Sequence, residues 1–406
     1  SYVASAAGVS VNLGTGAVFG GDAAGDVISG FEGIIGSAQN DSLTGGTGDD
    51  PITGGAGADT LTGGDGTDTL TGGDGIDTLV GGRGDDVYIT DGMDVLSEVG
   101  GSGRDLVRSS ATFVLATDFE DLELSGSADI DGTGNSSNNR LTGNAGANSL
   151  TGGGGSDSLF GLNGRDILYG GGGNDSLDGG EGFDVLGGGA GADTLVGGLG
   201  QDTATYSSSN SGVTVVLVNG GAIGVDGDAQ GDVLSEIERL IGSRFADMLE
   251  GDDFTNVLTG GAGDDTLIGG AGDDTLFGGA GNDLYVTDGL DVLSERNGDG
   301  IDLVQSSGSV ILVSGIENLE LTGIGAIDGT GNTGANLIVG NAVANRLNGL
   351  TGNDTLTGGY GADVFVFSTA LKASNVDHIT DYSVTDDQIE LSAAIFTGLV
   401  NGALTL

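Results

Sequence analysis

The chain has 406 residues, 88 of them glycine, with one proline and neither cysteine nor tryptophan; this composition excludes an ordinary multi-domain globule and points to a repeat protein. Sixty acidic against ten basic residues give a formal charge of -50, which argues against nucleic-acid binding and against an acidic membrane surface, and implies a cation as partner. With 37% hydrophobic residues the chain is too apolar for disorder, yet no apolar run approaches the roughly 20 residues that span a bilayer, so no membrane insertion is expected.

The first residues (SYVASAAGVS) carry neither an initiator Met nor a charged leader and read as the start of a fragment or a processed product. Residues 1–35 read as a cap-like segment. A nine-residue period then fills 36–89, clearest in 54–62 (GGAGADTLT), 63–71 (GGDGTDTLT) and 72–80 (GGDGIDTLV), that is G-G-x-G-x-D-x-U-x with U a large apolar residue. Glycines alone would be a weak signal in so glycine-rich a chain. The Asp at position six and the apolar residue at position eight recur in phase over many copies, which makes it specific. Residues 90–133 lack the Gly-Gly turns, but their apolar pairs (Val95 with Leu96, Leu106 with Val107, Val114 with Leu115) recur about every eight to eleven residues, one strand plus one turn, so the solenoid is expected to continue there. Nonamers return over 134–205.

The series then repeats. Residues 8–36 reappear as 212–242 and residues 88–135 as 285–332, so the chain is a duplicated module. The first module is 1–205. The second is 206–366, with linking strands at 206–241, an array at 242–286, a glycine-poor solenoid at 287–330 and an array at 331–366. No window keeps a helical period; 232–241 (DVLSEIERLI) is read as strand because its counterpart carries Gly30 and Gly33.

Each nonamer divides into a six-residue turn and a three-residue strand whose U points inward while its Thr or Ser flanks face solvent. One nonamer cannot bury its own U. Stacked as half-coils of a parallel winding, nonamers bury a ladder such as Leu61, Leu70, Leu79, Leu159, Leu168, Leu267 and Leu276. The fold class is therefore all-β, a right-handed parallel β-roll or β-helix solenoid. Stacking lines the aspartates up along each edge, where repulsion would keep the coil open unless a cation neutralises them. Calcium fits best, because it takes six to eight carboxylate and carbonyl oxygens. Magnesium wants stricter geometry, and zinc wants the His or Cys that are missing.

These arrays resemble the RTX, or hemolysin-type, calcium-binding nonapeptide repeats of proteins exported by type I secretion. In that family a calcium lies between one turn, which gives the carbonyls of positions two and four plus its Asp, and the turn two nonamers on, which gives positions one and three plus its Asp. The resemblance implies a site joining Gly46, Gly48 and Asp50 to Gly63, Asp65 and Asp68, and on the opposite edge Gly55, Gly57 and Asp59 to Gly72, Asp74 and Asp77. Asp68, with Gly64 and Gly66, then pairs with Asp86, with Gly81 and Arg83. In the second array Gly153, Gly155 and Asp157 meet Gly170, Gly172 and Asp175, while Gly164 and Asp166 meet Gly179, Glu181 and Asp184. Further along, Gly171 and Gly173 with Asp175 meet Gly188, Ala190 and Asp193, and Gly180 and Gly182 with Asp184 meet Gly197, Leu199 and Asp202. In the second module Gly261, Gly263 and Asp265 meet Gly278, Ala280 and Asp283, with Gly270, Gly272 and Asp274 on the other edge and Asp354 and Asp363 in the last array. Roughly eight to twelve calcium ions are implied. Asn139, Asn148, Asn256, Asn336 and Asn345 take the Asp position and read as neutral hydrogen-bonded turns, and Ser37, Gln39 and Phe245 replace turn glycines.

The resemblance extends to 363–367 (DVFVF), 377–381 (DHITD) and 387–392 (DQIELS), similar to the segment that closes such arrays in serralysin-type proteases; 367–406 is therefore read as a capping and secretion-associated segment, its tail a candidate secretion signal. No catalytic constellation stands out: the single histidine, His378, has no HExxH or GxSxG beside it, and no cysteine is present. Glu120 with Glu123 and Glu317 with Glu320 read as surface strand positions, and Arg83, Arg165 and Arg244 as local charge compensation. The expected protein is a secreted, extracellular or cell-surface-associated, non-enzymatic calcium binder whose folding is driven by calcium and whose partners include the type I secretion machinery. Two alternatives stand beside it: an accessory region of a larger secreted protease, lipase or mannuronan epimerase, and an adhesin or surface-layer element that binds polysaccharide or itself.

Overall fold

Position eight of the nonamer sets the architecture. Leu61, Leu70 and Leu79 are wholly buried. In the computed structural model, which describes residues 1–98, 102–218, 221–295, 300–370 and 372–397, Leu61 pairs in parallel with Leu79 and Ile52 with Leu70. One coil is therefore eighteen residues, two nonamers. Odd and even nonamers fall on opposite sheets, and the inward Leu of each closes on those of the other.

The chain divides into two compact units, Ser1–Asp202 and Thr203–Leu406. In the first, one parallel sheet carries Pro51–Ala56, Thr69–Asp74, Val87–Thr90, Leu106–Ser109, Asp121–Leu124 and Arg140–Thr142 in succession. Facing it are the strands Ser42–Thr44, Thr60–Asp65, Thr78–Arg83 and Val95–Ser97, and beyond them a separate sheet from Phe113–Val114 through Ile167–Gly172. The second unit repeats the plan from Thr203–Thr205 to Gln388–Leu391. Among the described residues the helical elements are two single 3-10 turns, Gly21–Ala23 and Gly227–Ala229, and no helix is long and apolar enough to cross a membrane. Residues 232–241 hold the strands Val233–Ser235 and Arg239–Ile241.

The structure refines the expected winding in three ways. Where the arrays are most regular the strands are six or seven residues long, as in Thr60–Asp65 and Ser176–Gly182, not three, whereas Thr266–Ile268 and Thr355–Thr357 keep the expected three. The first turn residues join the ladder, Gly64 opposite Gly82 and Asp65 opposite Arg83. Glycine permits this: Gly64 has φ +126°, and any Cβ on it would collide with Gly46 O of the preceding coil. Secondly, the winding is not parallel throughout, because Ser10–Asn12 pairs antiparallel with Ala17–Phe19, and Thr214–Val218 with Gly221–Gly224. In the first hairpin Asn12 Oδ1 accepts the Thr15 N–H at 2.8 Å and Gly16 takes φ +71°, which reverses the chain locally. Thirdly, the coil length varies outside the arrays: seventeen residues from Asp77 to Asp94, nineteen from Asp86 to Asp105, fifteen from Asp105 to Glu120. The second unit has the same sequence of lengths at Asp274, Asp283 and Asp302.

The closing strands His378–Ile379 and Gln388–Leu391 continue the parallel pairing from Thr355–Thr357 and Val364–Phe367 by way of longer coils of 23 and 24 residues. The remainder of the tail, 398–406, and parts of the glycine-poor stretches at 99–101 and 296–299 lie outside the described residues, as do 219–220 and 371.

Candidate metal centre

Position six follows the inward Leu around the bend, so each Asp falls on a coil edge directly above another. Its main-chain N–H points along the stack. Asp50 N donates to Asp68 Oδ1 at 2.8 Å, and Asp68 N to Asp86 Oδ1 at 2.7 Å; on the other edge Asp59 N donates to Asp77 Oδ1 at 2.7 Å. The same contact joins Asp157 to Asp175, Asp166 to Asp184, Asp175 to Asp193, Asp184 to Asp202 and Asp265 to Asp283, all at 2.7 or 2.8 Å. Asp274 receives Asn256 N, and Asp354 and Asp363 receive Asn336 N and Asn345 N, each at 2.8 Å.

One oxygen of each carboxylate is thus held. The other, Oδ2, is buried with no hydrogen-bond partner in Asp59, Asp68, Asp77, Asp86, Asp157, Asp166, Asp175, Asp184, Asp265, Asp274, Asp283, Asp354 and Asp363. Burial disfavours the charged form more than the ladder N–H favours it. It pushes Asp59, Asp86, Asp157, Asp166, Asp283 and Asp354 up to about 6, and Asp265 and Asp274 up to about 7. An unpaired acceptor in a dry site is costly and calls for a positive partner.

Carbonyl oxygens surround the same points. A Cβ placed on Gly63 would strike Asp68 Oδ2 and lie 2.7 Å from Gly81 O; on Gly54 it would strike Asp59 Oδ2 and lie 2.6 Å from Gly72 O. At Gly152, Gly170 and Gly179 the pairs are Asp157 with Gly170 O, Asp175 with Gly188 O and Asp184 with Gly197 O. The first glycine of each turn therefore keeps open the space where an Asp oxygen and the next coil's position-one carbonyl face each other. The position-three carbonyls of Asp74, Arg83, Gly172, Ala190 and Ala280 each accept the N–H of the glycine below, Gly57, Gly66, Gly155, Gly173 and Gly263, at 2.7–2.9 Å, which leaves one lone pair apiece. Glu181 and Leu199 stack in register on the opposite edge. Gly270 and Gly272 lie over Asp252 and Phe254 of an irregular turn, and the strand entering their turn is only Thr266–Ile268. The Asp65 side chain is exposed, 3.9 Å from Arg83. Carboxylates and carbonyls in this arrangement form a hard, all-oxygen donor set suited to calcium.

Asparagine changes the chemistry at the array ends. Asn139 Nδ2 donates to Phe119 O and Glu120 O, both at 3.1 Å, Asn148 Nδ2 donates to Ile130 O at 2.6 Å, and Asn345 Nδ2 to Ile327 O at 2.7 Å. The amide thus donates to carbonyls of the preceding coil, where an Asp side chain would bring only acceptors. Where the arrays at 36–89 and 242–286 begin, serine plays the capping part: Ser37 and Ser243 donate both N–H and Oγ–H to Asp41 and Asp247, so both oxygens of these aspartates are engaged.

Several ladder members escaped the nonamer frame. Asp94 and Asp291 sit in glycine-poor coils, yet each accepts the N–H of a regular Asp and has a buried Oδ2 without partner. Asp105, Asp302, Asp377 and Asp387 accept from Asp86, Asp283, Asp354 and Asp363. Their common signal is Asp two residues ahead of an apolar residue that continues the Leu register, as in Asp94-Val95-Leu96, and, Asp105 apart, without the nonamer's Gly-Gly at the first two turn positions. Glu120 and Glu317 belong to the ladder too, half-buried and accepting Asp105 N and Asp302 N at 3.0 Å, instead of standing free on a strand surface. Glu123 pairs with Arg108 and Glu320 with Gln305. His378 is exposed, and Arg244 lies over the Phe245 ring at 5.4 Å.

A parallel solenoid whose turn edges present stacked carboxylates and carbonyls defines a cation-binding repeat protein. The RTX calcium-binding nonapeptide repeat, in its four-copy form, matches residues 35–70, 62–92, 133–168, 169–204, 250–285 and 339–368. The chain is an RTX-type calcium-binding repeat protein. No curated protein matches it.

Proposed function

We propose that the chain is a non-catalytic, calcium-wound part of a secreted protein, two homologous modules at 1–205 and 206–366 closed by 367–406. The observation that carries this reading is the aspartate ladder, in which one oxygen per carboxylate is held by a neighbouring coil and the other is buried without a partner. At low calcium the columns of like charge oppose stacking, and the chain stays loose enough for a type I export channel. Bound calcium supplies the positive charge and takes up carboxylate and carbonyl oxygens, at on the order of millimolar concentration outside the cell. The neutralised edges then let the Leu ladder bury itself, and burial of the ladder holds the coils closed. Far-UV circular dichroism in calcium and in EGTA tests this: β signal should appear on adding calcium and vanish with the chelator. A chain equally wound in excess EGTA at neutral pH would refute it.

A further inference from the structure

After the arrays at 36–89 and 242–286 a Glu takes the place of the next turn's first glycine: Val95–Ser97 pairs with Thr78–Val80 of the coil below, which puts Glu98 over Gly81, and in the second unit Val292–Ser294 pairs with Thr275–Phe277 and puts Glu295 over Gly278. In place of a carbonyl, the coil edge receives a side-chain carboxylate.

One carboxylate oxygen from each of Asp86, Glu98 and Asp105 lies within 4.8 Å of the other two, and the same holds for Asp283, Glu295 and Asp302. Asp86, Glu98 and Asp105 are 1%, 9% and 3% exposed. Asp86 Oδ2 and Asp283 Oδ2 have no hydrogen-bond partner, and both point into the cluster, since a Cβ on Gly81 would strike Asp86 Oδ2, Tyr88 Oη and Glu98 Oε1 together. A Cβ on Gly278 would likewise strike Asp283 Oδ2 and Tyr285 Oη, with Glu295 Oε2 2.6 Å away. Among the described residues no Lys or Arg forms an ion pair with Asp86, Glu98 or Asp105. Three buried carboxylates with no cationic side chain are strongly unfavourable unless a cation joins them. The spacing fits one: two oxygens each about 2.3–2.6 Å from a calcium-sized ion lie at most about 5 Å apart.

Tyrosine orients the added carboxylate. Tyr88 and Tyr285 replace the usual Leu at position eight and are fully buried. Each hydroxyl accepts a turn N–H, from Gly81 at 2.6 Å and from Gly278 at 2.8 Å, and hydrogen-bonds to Glu98 and Glu295 respectively. Tyr88 is itself fixed edge-on against Phe119, 5.2 Å between centroids.

We propose that the junctions following the arrays at 36–89 and 242–286 are divalent-cation sites of a second kind, in which the carboxylates of Asp86, Glu98 and Asp105, and of Asp283, Glu295 and Asp302, hold a calcium-class ion, with Glu98 and Glu295 standing where a regular turn presents its first glycine. The inference rests on the reading of the chain as a calcium binder. Terbium, a calcium surrogate, reports on it in the full chain, because tyrosine is the natural sensitiser in a protein without tryptophan and a tyrosine hydroxyl lies at each triad. Tyrosine-sensitised emission should fall in Glu98→Gln and in Glu295→Gln and fall further in the double variant, with one calcium fewer by equilibrium dialysis for each substitution. Circular dichroism in calcium separates loss of the site from loss of winding. If the Glu variants fail to wind, Tyr88→Phe with Tyr285→Phe decides, since it removes the sensitiser and keeps the carboxylates: lost emission supports the site, and unchanged emission overturns it. Unchanged emission and calcium count in a wound Glu98→Gln, Glu295→Gln chain would also overturn it. A wild-type chain that binds no calcium at all would instead sink the earlier reading.

Discussion

At position six the choice among Asp, Asn and a serine-capped Asp decides whether a turn is left short of positive charge. Asp166 and Asn148 lie one above the other and make the comparison directly: Asn148 N donates to Asp166 Oδ1 at 2.7 Å, while Asn148 uses its own amide to satisfy Ile130 O. Asp166→Asn should therefore keep the ladder, offer a donor toward Gly179 O and lower the calcium bound per chain by equilibrium dialysis. Asp166→Ala, which strands the Asn148 N–H, should cost about 1–3 kcal/mol in chemical denaturation with calcium present. A second residue-scale case is Leu162, which stands at position two with φ +80° where the stacked Gly180 has φ +99°. Left-handed backbone costs a non-glycine residue roughly 1–2 kcal/mol, and the Leu162 side chain is 45% exposed, so it returns little by burial. Leu162→Gly should raise the melting temperature in calcium, a gain of about 1 kcal/mol. The left-handed turn was legible from the nonamer frame, but the exception was not, because periodicity says where a glycine belongs and not what a coil tolerates in its place.

For the strand, the stabilising unit is the rung. Leu177 is fully buried and in register with Leu159 on one side and Leu195 on the other, so truncation opens a gap that neither neighbour can fill without leaving its own pairing. Leu177→Ala should cost about 2–5 kcal/mol, measured by denaturation in saturating calcium. The eighteen-residue register of the arrays was readable because Gly-Gly marks every turn. The seventeen-, nineteen- and fifteen-residue coils were not, since residues 90–133 mark their turns with Asp or Glu ahead of the inward residue and with side-chain hydrogen bonds, as at Ser109 with Ala111. The extension of strands into the turns was equally hidden: it depends on glycines from two coils lying against each other, which a single nonamer does not reveal. The junction glutamates lay one residue past a recognised strand, but their meaning needed the register that puts Glu98 above Gly81.

Over the whole chain, the formal charge of -50 is not spread evenly over solvent. A large part of it is held in columns where burial pushes aspartates to about 6 or 7, as at Asp59, Asp157, Asp265 and Asp274. In the unfolded chain the same groups release their protons near pH 4. The wound state therefore binds more protons than the loose state between roughly pH 4 and 7, and stability without calcium rises as pH falls through that window. Protons and calcium neutralise the same oxygens, so they compete. In EGTA, β signal should grow as the pH is lowered from about 8 toward 5, with its midpoint near the raised aspartate values of about 6 to 7. With calcium present, the concentration needed for half-winding should fall over the same interval, because protons already neutralise part of the columns. Circular dichroism across a grid of pH and calcium measures both. Loss of β signal on acidification in EGTA would mean that the columns do not oppose winding, and that the charge neutralised by calcium is not what keeps the chain loose.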